Sequence, residues 1–563
     1  MSWQDITKDK KERINASIPP DWRLKSLPPQ VSVMGYTGAG IMSSEEVSIT
    51  NSSATDLVAK MATGELTSVA VTTAFCKRAA IAHQLLNCAL EFFPELALAR
   101  AKELDEYFQK TGKTVGPLHG LPISLKDQFR IKGLETSMGY VSWIGKYEDH
   151  NSVLVTLLLK AGAVLYIKTS VPQSLMVGET INNIIGRTVN PYNKNWSCGG
   201  SSGGEGANVA FRGGIIGVGT DIGGSIRIPA AFNHLYGLRP SHGRLPYRRL
   251  ANSMEGQETV HSVCGPIAHS VADMRLFLQS VLAEEPWKYD SKVIPMPWRQ
   301  SEADIIKSRI SSGGLTIGYY DCDGGVLPHP PILRGMKIVV DTLKKSGHEV
   351  FQWTPYKHDH SLDLISSIYA ADAGKVGQHI LLDVSYHTLT RQKDIYKVLE
   401  ASGEHAIPNM SEFVNTSSAA PSINEIWDIH LKKWAYQCEY LEQFRIIEEK
   451  LGREIDAIVA PVAPTAAILH DQFKYYAYTT VVNLLDFTSV VVPVTFADKG
   501  LDKKVQGYEA LNKLDGVIQD EYDPEAYHGA PVAIQVIGKR LTEERILAIA
   551  EEIGKLLGNE VIP

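Results

Sequence analysis

The sequence predicts an α/β protein built on one large mixed, mostly parallel twisted sheet flanked by helices on both faces. Three observations carry this. Short apolar, β-branched runs recur along the 563 residues, among them GLTIGYY at 314–320, DAIVAPVAP at 456–464, FTSVVVPVTF at 487–496 and PVAIQVIG at 531–538. Most lack the strict alternation of a half-exposed strand, so they read as strands covered on both sides. They also alternate with amphipathic helical patterns, the order that winds a sheet between two helical layers.

The elements follow in chain order. The opening MSWQDITKDKKERIN is charged and has no apolar core segment, so it is not read as a secretory signal. Residues 19–44 are rich in Pro, Gly and Ser and read as an extended arm. Residues 1–50 are therefore expected to form an N-terminal arm with extended and helical segments, ahead of a single domain over 51–563. Ser53 and Thr55 offer capping hydroxyls before DLVAKMAT, which Gly64 ends. Thr67 or Ser68 starts the next helix, with Val71, Phe75, Arg78 and Ala82 at helical spacing. Pro94 opens a third, with Leu98, Ala101, Leu104 and Phe108 on one face. LPISLKD at 121–127 is short, largely apolar and punctuated by Gly120 and Pro122. SVLVTLLLKAG and AVLYIKTS read as helix, turn and buried strand; ILRGMKIVVDTLKKSG is a helix between GLTIGYY and the strand HEVFQW. The polar stretch 401–424 reads as a surface excursion. LTEERILAIAEEIGKLLG is a final amphipathic helix.

Composition narrows the function classes. The net charge is −7 and no basic tract stands out, so nucleic acid is not an expected partner. No run of about 18 apolar residues exists, so no membrane span is expected. Six cysteines, none in a C-x-x-C pair, argue against a disulfide framework or a structural zinc site. A reducing, cytoplasmic location fits. There is no H-E-x-x-H and no clustered Cys/His set, so neither metal nor cofactor is expected; His358-Asp359-His360 reads as a polar surface turn.

The chemistry-bearing stretch is GVGTDIGGSIRIPAAF at 217–232, with four glycines around Ser225. Consecutive N–H groups of Ile222, Gly223, Gly224 and Ser225 can converge on one anionic point where glycine frees the backbone. A tetrahedral oxyanion needs such preorganised donors. IRIPAAF then starts a short helix whose N-terminus adds positive potential. A serine nucleophile also needs a base. None of the 17 histidines declares itself; His119 and His234 lie near but read as structural. Gly199–Gly203 matches G-x-S-x-G formally around Ser201, but no strand precedes it. Lys126 is the other option. It ends an apolar run, where desolvation would lower its pKa and free a lone pair. The upstream cluster SCGGSSGGEG offers a second hydroxyl to relay a proton between Lys126 and Ser225. Cys198, in that same cluster, is a rival nucleophile without an obvious basic partner.

GGSSGGEGANVAFRGGIIGVGTDIGGSIRIPAAF resembles the signature of the amidase signature family of serine hydrolases, and GPLHGLPISLKDQF resembles that family's lysine motif. Lys126 and Ser201 are 75 positions apart and Ser201 and Ser225 are 24 apart, which fits the family. AFCKRAAIAHQLLNC, KTSVPQSLMVGETINNIIGRTVNP, GLRPSHGRLPY and HGAPVAIQVIGKRL extend the likeness, with fungal acetamidases as the closest subgroup. The resemblance implies the amidase signature fold. It implies Ser225 as nucleophile, Ser201 as bridging serine after a cis peptide from Gly200, and Lys126 as base. It implies an oxyanion hole from the amides of Ile222, Gly223, Gly224 and Ser225, supported by Ser202, Asp221 and Arg227. Leu175 and Met176 fall in a segment that lines the acyl pocket of relatives, or are simply core. The implied substrates are short aliphatic amides; a carbamate ester presents the same carbonyl, so short carbamates such as ethyl carbamate are expected as a further activity, and the alternative is an amidase or urethanase acting mainly on carbamates or on larger acyl or aryl amides. A second copy of the chain is left open as a partner. An amidotransferase subunit and a non-catalytic anion-binding module are the remaining readings.

Overall fold

The computed structural model describes residues 1–369, 371, 395–410 and 421–558. The strands are β1 (Ala89–Phe92), β2 (Pro122–Lys126), β3 (Val164–Thr169), β4 (Ile181–Asn182), β5 (Gly186–Arg187), β6 (Ile216–Asp221) and β7 (Tyr236–Arg239), followed by β8 (Val263–Ala268), β9 (Thr316–Tyr319), β10 (Glu349–Gln352), β11 (Ala457–Pro461), β12 (Thr488–Phe496) and β13 (Pro531–Gly538). β4 and β5 form a small ribbon, and the other eleven make one sheet in the order β1-β3-β2-β6-β8-β7-β12-β13-β11-β9-β10.

The predicted mixed sheet between helical layers is present, and its two-sided burial is visible within β12. Val490 and Val492 pack into a core with Ile546, Leu547 and Ile549 of the C-terminal helix, while Val491 enters a second core with Ile228 and Ala230. The balance of directions needs correction. Parallel pairs occupy the two flanks, β3-β2-β6 and β11-β9-β10, whereas every pairing from β6 through β8, β7, β12 and β13 to β11 is antiparallel. An apolar run reports burial on both faces, and helices supply that burial whichever way the strands run.

Local signals hold at the helix starts. Ser53 accepts from Asp56 N at 3.1 Å and Thr67 from Ala70 N at 3.1 Å. Gly64 closes the first of these helices at φ 76°, and Pro94 opens the helix Pro94–Thr111. The charged N-terminal segment is a helix, Trp3–Ala16, whose Lys10 is buried against Glu91 and Glu135, with Arg13 donating to Glu135 at 2.9 Å. Two other expectations change. His358 begins a helix, His358–Tyr369, and is buried beside Tyr440. The 401–424 stretch is not a mere surface excursion: Glu404, Ile407 and Met410 are buried, and the Glu404 carboxylate accepts from Val141 N, Gln173 Nε2 and Asn183 Nδ2. Residues 411–420 of that stretch lie outside the described residues. Among the described residues, no helix is long and apolar enough to cross a membrane.

Candidate active site

β2 and β6 are parallel neighbours, so their carboxyl ends meet, the edge where open α/β sheets present ligands. Lys126 is the last residue of β2; Thr220 and Asp221 are the last two of β6. Gly217 and Gly219 belong to this strand and serve close packing rather than a turn. A Cβ on Gly217 would stand 2.1 Å from Glu205 Oε2, and one on Gly219 would stand 2.8 Å from Ser202 Oγ. These contacts let the segment bearing Ser201 and Ser202, and the following helix Gly203–Ala210, press onto the sheet.

Lys126 Nζ lies 2.7 Å from Ser201 Oγ and 2.7 Å from Thr220 Oγ1, and all three side chains are buried. The peptide between Gly200 and Ser201 is cis. Ser202 is the stitch between Ser201 and the loop that carries Ser225. Its amide donates to the Ser225 carbonyl at 3.1 Å, and its hydroxyl accepts from Thr220 N at 3.2 Å. Ser225 follows β6 by four residues, is half-buried, and its hydroxyl has no hydrogen-bond partner among the described residues. Catalytic hydrogen bonds often close only once substrate is bound.

Burial lowers Lys126 to about 7; Asp221 and Glu205 pull it back up, but less strongly. A large share of the protein thus carries a neutral amine near neutral pH. Burial also raises Glu205 to about 8, against the hydroxyls of Ser124 and Thr169, so this neighbour brings only partial negative charge. For Asp221, burial works upward, but the charge and hydrogen bonds of Arg227 overcome it and hold the carboxyl well below the usual range. Asp221 takes Arg227 Nε at 3.0 Å, Asn483 Nδ2 at 2.8 Å, and the amides of Gly224 at 2.9 Å and Ile226 at 3.2 Å. Arg227 continues to Gln535 at 3.1 Å. A charged cluster thus clamps the Ser225 loop to β13 and to the helix Ala477–Leu485.

The four amides expected as oxyanion donors divide. The Gly224 N–H, one of the expected donors, is given to Asp221 Oδ1 at 2.9 Å. The amides of Ile222, Gly223 and Ser225 have no acceptor among the described residues. Two hydroxyls orient this loop. Tyr369 donates to the Ile222 carbonyl at 2.6 Å and Thr479 to the Gly223 carbonyl at 2.6 Å. A planar trans peptide points its N–H opposite to its C=O, so Tyr369 turns the Gly223 N–H away from itself.

The other candidates have partners of their own. Leu175 packs among Met138, Tyr140 and Val171, and Met176 lies against Val177, Ile407 and Met410. Cys198 is buried with its thiol on the Thr188 carbonyl, and burial raises it to about 12, which removes the thiolate a nucleophile needs. His119 accepts from Val115 N, and His234 stacks on Phe496 at 4.4 Å. Among the described residues, no group of three His, Cys, Asp or Glu is arranged to hold a metal ion. Gln128, Thr220, Tyr369, Thr479, Asn483 and Gln535 were missed as site residues. Thr220 and Gln128 stand inside the quoted motifs, one residue before Asp221 and two after Lys126. The other four are hundreds of positions away from their partners, or nearly so, and no local pattern marks them.

A family model described as Amidase matches residues 70–547. An acetamidase from Emericella nidulans is 65% identical over 564 residues, covering 100% of both chains. An acetamidase from Aspergillus oryzae is 60% identical over 559 residues, covering 99% of each. Among solved structures, a fatty acid amide hydrolase superposes with a TM-score of 0.89 at 34% identity, covering 99% of this chain and 95% of that one.

Proposed function

Because this chain belongs to the amidase signature family and is an amide C–N hydrolase, we propose that it cleaves short aliphatic amides such as acetamide to a carboxylate and ammonia. The observation that carries the mechanism is the 2.7 Å contact between the buried Lys126 amine, whose charged form burial disfavours, and Ser201 Oγ, beside the loop of Ser225. Ser225 Oγ attacks the carbonyl carbon while its proton passes to Ser201 Oγ, and the Ser201 proton passes to Lys126 Nζ. The oxyanion forms against the amides of Ile222, Gly223 and Ser225. The relay then runs backward: Lys126 reprotonates Ser201, Ser201 protonates the amide nitrogen, and ammonia leaves. Protonation decides the outcome, because an amide anion is a very poor leaving group. Water, deprotonated by the same relay, releases the acid. A carbamate ester offers the same carbonyl, so short carbamates such as ethyl carbamate are proposed as a further activity.

A second reading, larger acyl or aryl amides, rests on one observation. Tyr369, which holds the Ile222 carbonyl, also walls a cavity of about 390 Å³ with Met254, Ile368, Ile426 and Ile429, more room than acetamide needs. A panel of amides and carbamates of increasing chain length, run on wild type and Ser225→Ala, separates the two. Acetamide, propionamide and ethyl carbamate are expected to be turned over by wild type alone, with kcat/KM falling as the chain grows. A rise with chain length would favour the second reading, and no turnover of either class would overturn both.

The proposal includes a reducing, cytoplasmic location, supported by six cysteines that form no disulfide. It also takes residues 51–563 as one domain with 1–50 as its arm. A second copy of the chain is the one macromolecular partner it leaves open.

A further inference from the structure

Lys126 has a second neighbour, and the hydrogen bonds behind that neighbour have only one allowed direction. Gln128 is fully buried. Its Nε2 donates to the Ala251 carbonyl at 2.7 Å and to Tyr247 Oη at 2.9 Å. A backbone carbonyl can only accept, so the amide nitrogen must face Ala251 and both of its hydrogens are used. Gln128 Oε1 then faces Thr220 Oγ1 at 2.5 Å and can only accept from it. The single Thr220 hydrogen is thereby spent. Toward Lys126 Nζ, Thr220 is left with lone pairs alone, and the 2.7 Å contact runs from the amine to the hydroxyl.

A neutral amine has two hydrogens and one lone pair. With one N–H committed to Thr220, the lone pair is available to the other close oxygen, Ser201 Oγ at 2.7 Å. We propose that Gln128 is a positioning residue that acts through Thr220: it fixes the direction of the Thr220 hydroxyl and so keeps the Lys126 lone pair aimed at the Ser201 hydroxyl. The chain Ala251, Gln128, Thr220, Lys126, Ser201 then has one polarity from end to end. Without Gln128, the Thr220 hydroxyl is free to rotate and donate into the same lone pair, in competition with Ser201. The inference rests on the reading of Lys126 as the base.

The charged groups that act on Lys126 are Asp221 at the end of β6 and Glu205 on the helix behind it, with Arg227 compensating Asp221. Tyr247 stays neutral because burial raises it far above the working range. The pH readout therefore separates two causes. A Thr220 hydroxyl that donates to the free amine stabilises the neutral form, so the acid limb of the rate moves to lower pH. Loosened packing that admits water favours the ammonium and moves the limb to higher pH.

The test compares Gln128→Met, Thr220→Val, Thr220→Ser and the Gln128→Met/Thr220→Val double variant, with acetamide as substrate and active sites counted by a fluorophosphonate. Gln128→Met is expected to lower the plateau kcat about tenfold, the scale of one misdirected hydrogen bond, with KM unchanged and the acid limb shifted down. In the Thr220→Val background, Gln128→Met is expected to add no further loss, because the hydroxyl it misdirects is gone. Unchanged kcat in Gln128→Met, an acid limb that moves up, or fully additive losses would overturn the proposal. If Gln128→Met does not fold, Thr220→Ser against Thr220→Val decides: the serine variant should keep kcat within about twofold, the valine variant should not, and equal values would overturn the proposal. Lys126→Ala run alongside distinguishes the failures. An inactive Lys126→Ala with an unaffected Gln128→Met removes only this inference, whereas an active Lys126→Ala removes the base itself.

Discussion

The Ser225→Ala protein is expected to fold as wild type does and to lose amide turnover by on the order of 10⁴- to 10⁶-fold in kcat. The prediction follows from how the loop is held. Its shape depends on Asp221, Arg227, Asn483, Thr479 and Tyr369, none of which bonds to the Ser225 hydroxyl. Ser202 bonds to the Ser225 main-chain carbonyl, which alanine retains. Removing Oγ therefore deletes the proposed attacking atom and leaves its surroundings in place. Steady-state kinetics with acetamide, alongside a thermal melt, checks both halves. Turnover within tenfold of wild type would remove Ser225 from the chemistry. A collapsed melt would show that the hydroxyl also holds the fold. Cys198→Ala is the natural control in that series and is expected to keep its activity, because its buried thiol sits near 12 and points at a carbonyl.

The second large effect concerns Lys126. Lys126→Ala is expected to lower kcat by about 10²- to 10⁴-fold, the range of general acid–base assistance, because no other described side chain accepts a proton from Ser201. The wild-type pH profile should carry the same signature. Desolvation lowers Lys126 to about 7, so below that pH the ammonium form, which has no lone pair, predominates and kcat/KM falls with decreasing pH. Above it, the neutral amine accumulates and the rate rises to a plateau. In Lys126→Ala the residual rate should lose that acid limb. A wild-type profile flat through neutrality, or a Lys126→Ala variant that keeps the limb, would assign the titration to another group.

Much of this was legible from local sequence. Caps such as Ser53 and Thr67, and the β-branched runs of β12 and β13, declare themselves within a few residues because helix termini and buried strands are locally determined. LPISLKD, an apolar run closing on a lysine just before Asp127, places that lysine at the carboxyl end of β2. Strand direction was not legible, since Val490 to Val492 look the same in either direction. β6 was hidden by Gly217 and Gly219, which are strand residues chosen for the side chains that press on them. The helix Ile423–Leu451 and the strands Tyr236–Arg239 and Val263–Ala268 were also not read from sequence. The site's motifs brought Lys126, Ser201 and Ser225 into view, but the groups that orient them did not appear. Asn483 reaches Asp221 across 262 positions and Tyr369 reaches Ile222 across 147, distances over which one sequence carries no pairing signal. Gln128 and Thr220 stand within the motifs, yet the role proposed for them lies in a hydrogen-bond direction that only the folded structure shows.

A buried amine without its charge, working through one serine to activate another, is tested by treating wild-type protein with a fluorophosphonate across a pH series and mapping the adduct by peptide mass. A single adduct on Ser225, forming at a rate that falls as pH drops through about 7, is the expected result. Label on Ser201 or Cys198 instead, or a labelling rate on Ser225 that stays constant down to about pH 5, would contradict it.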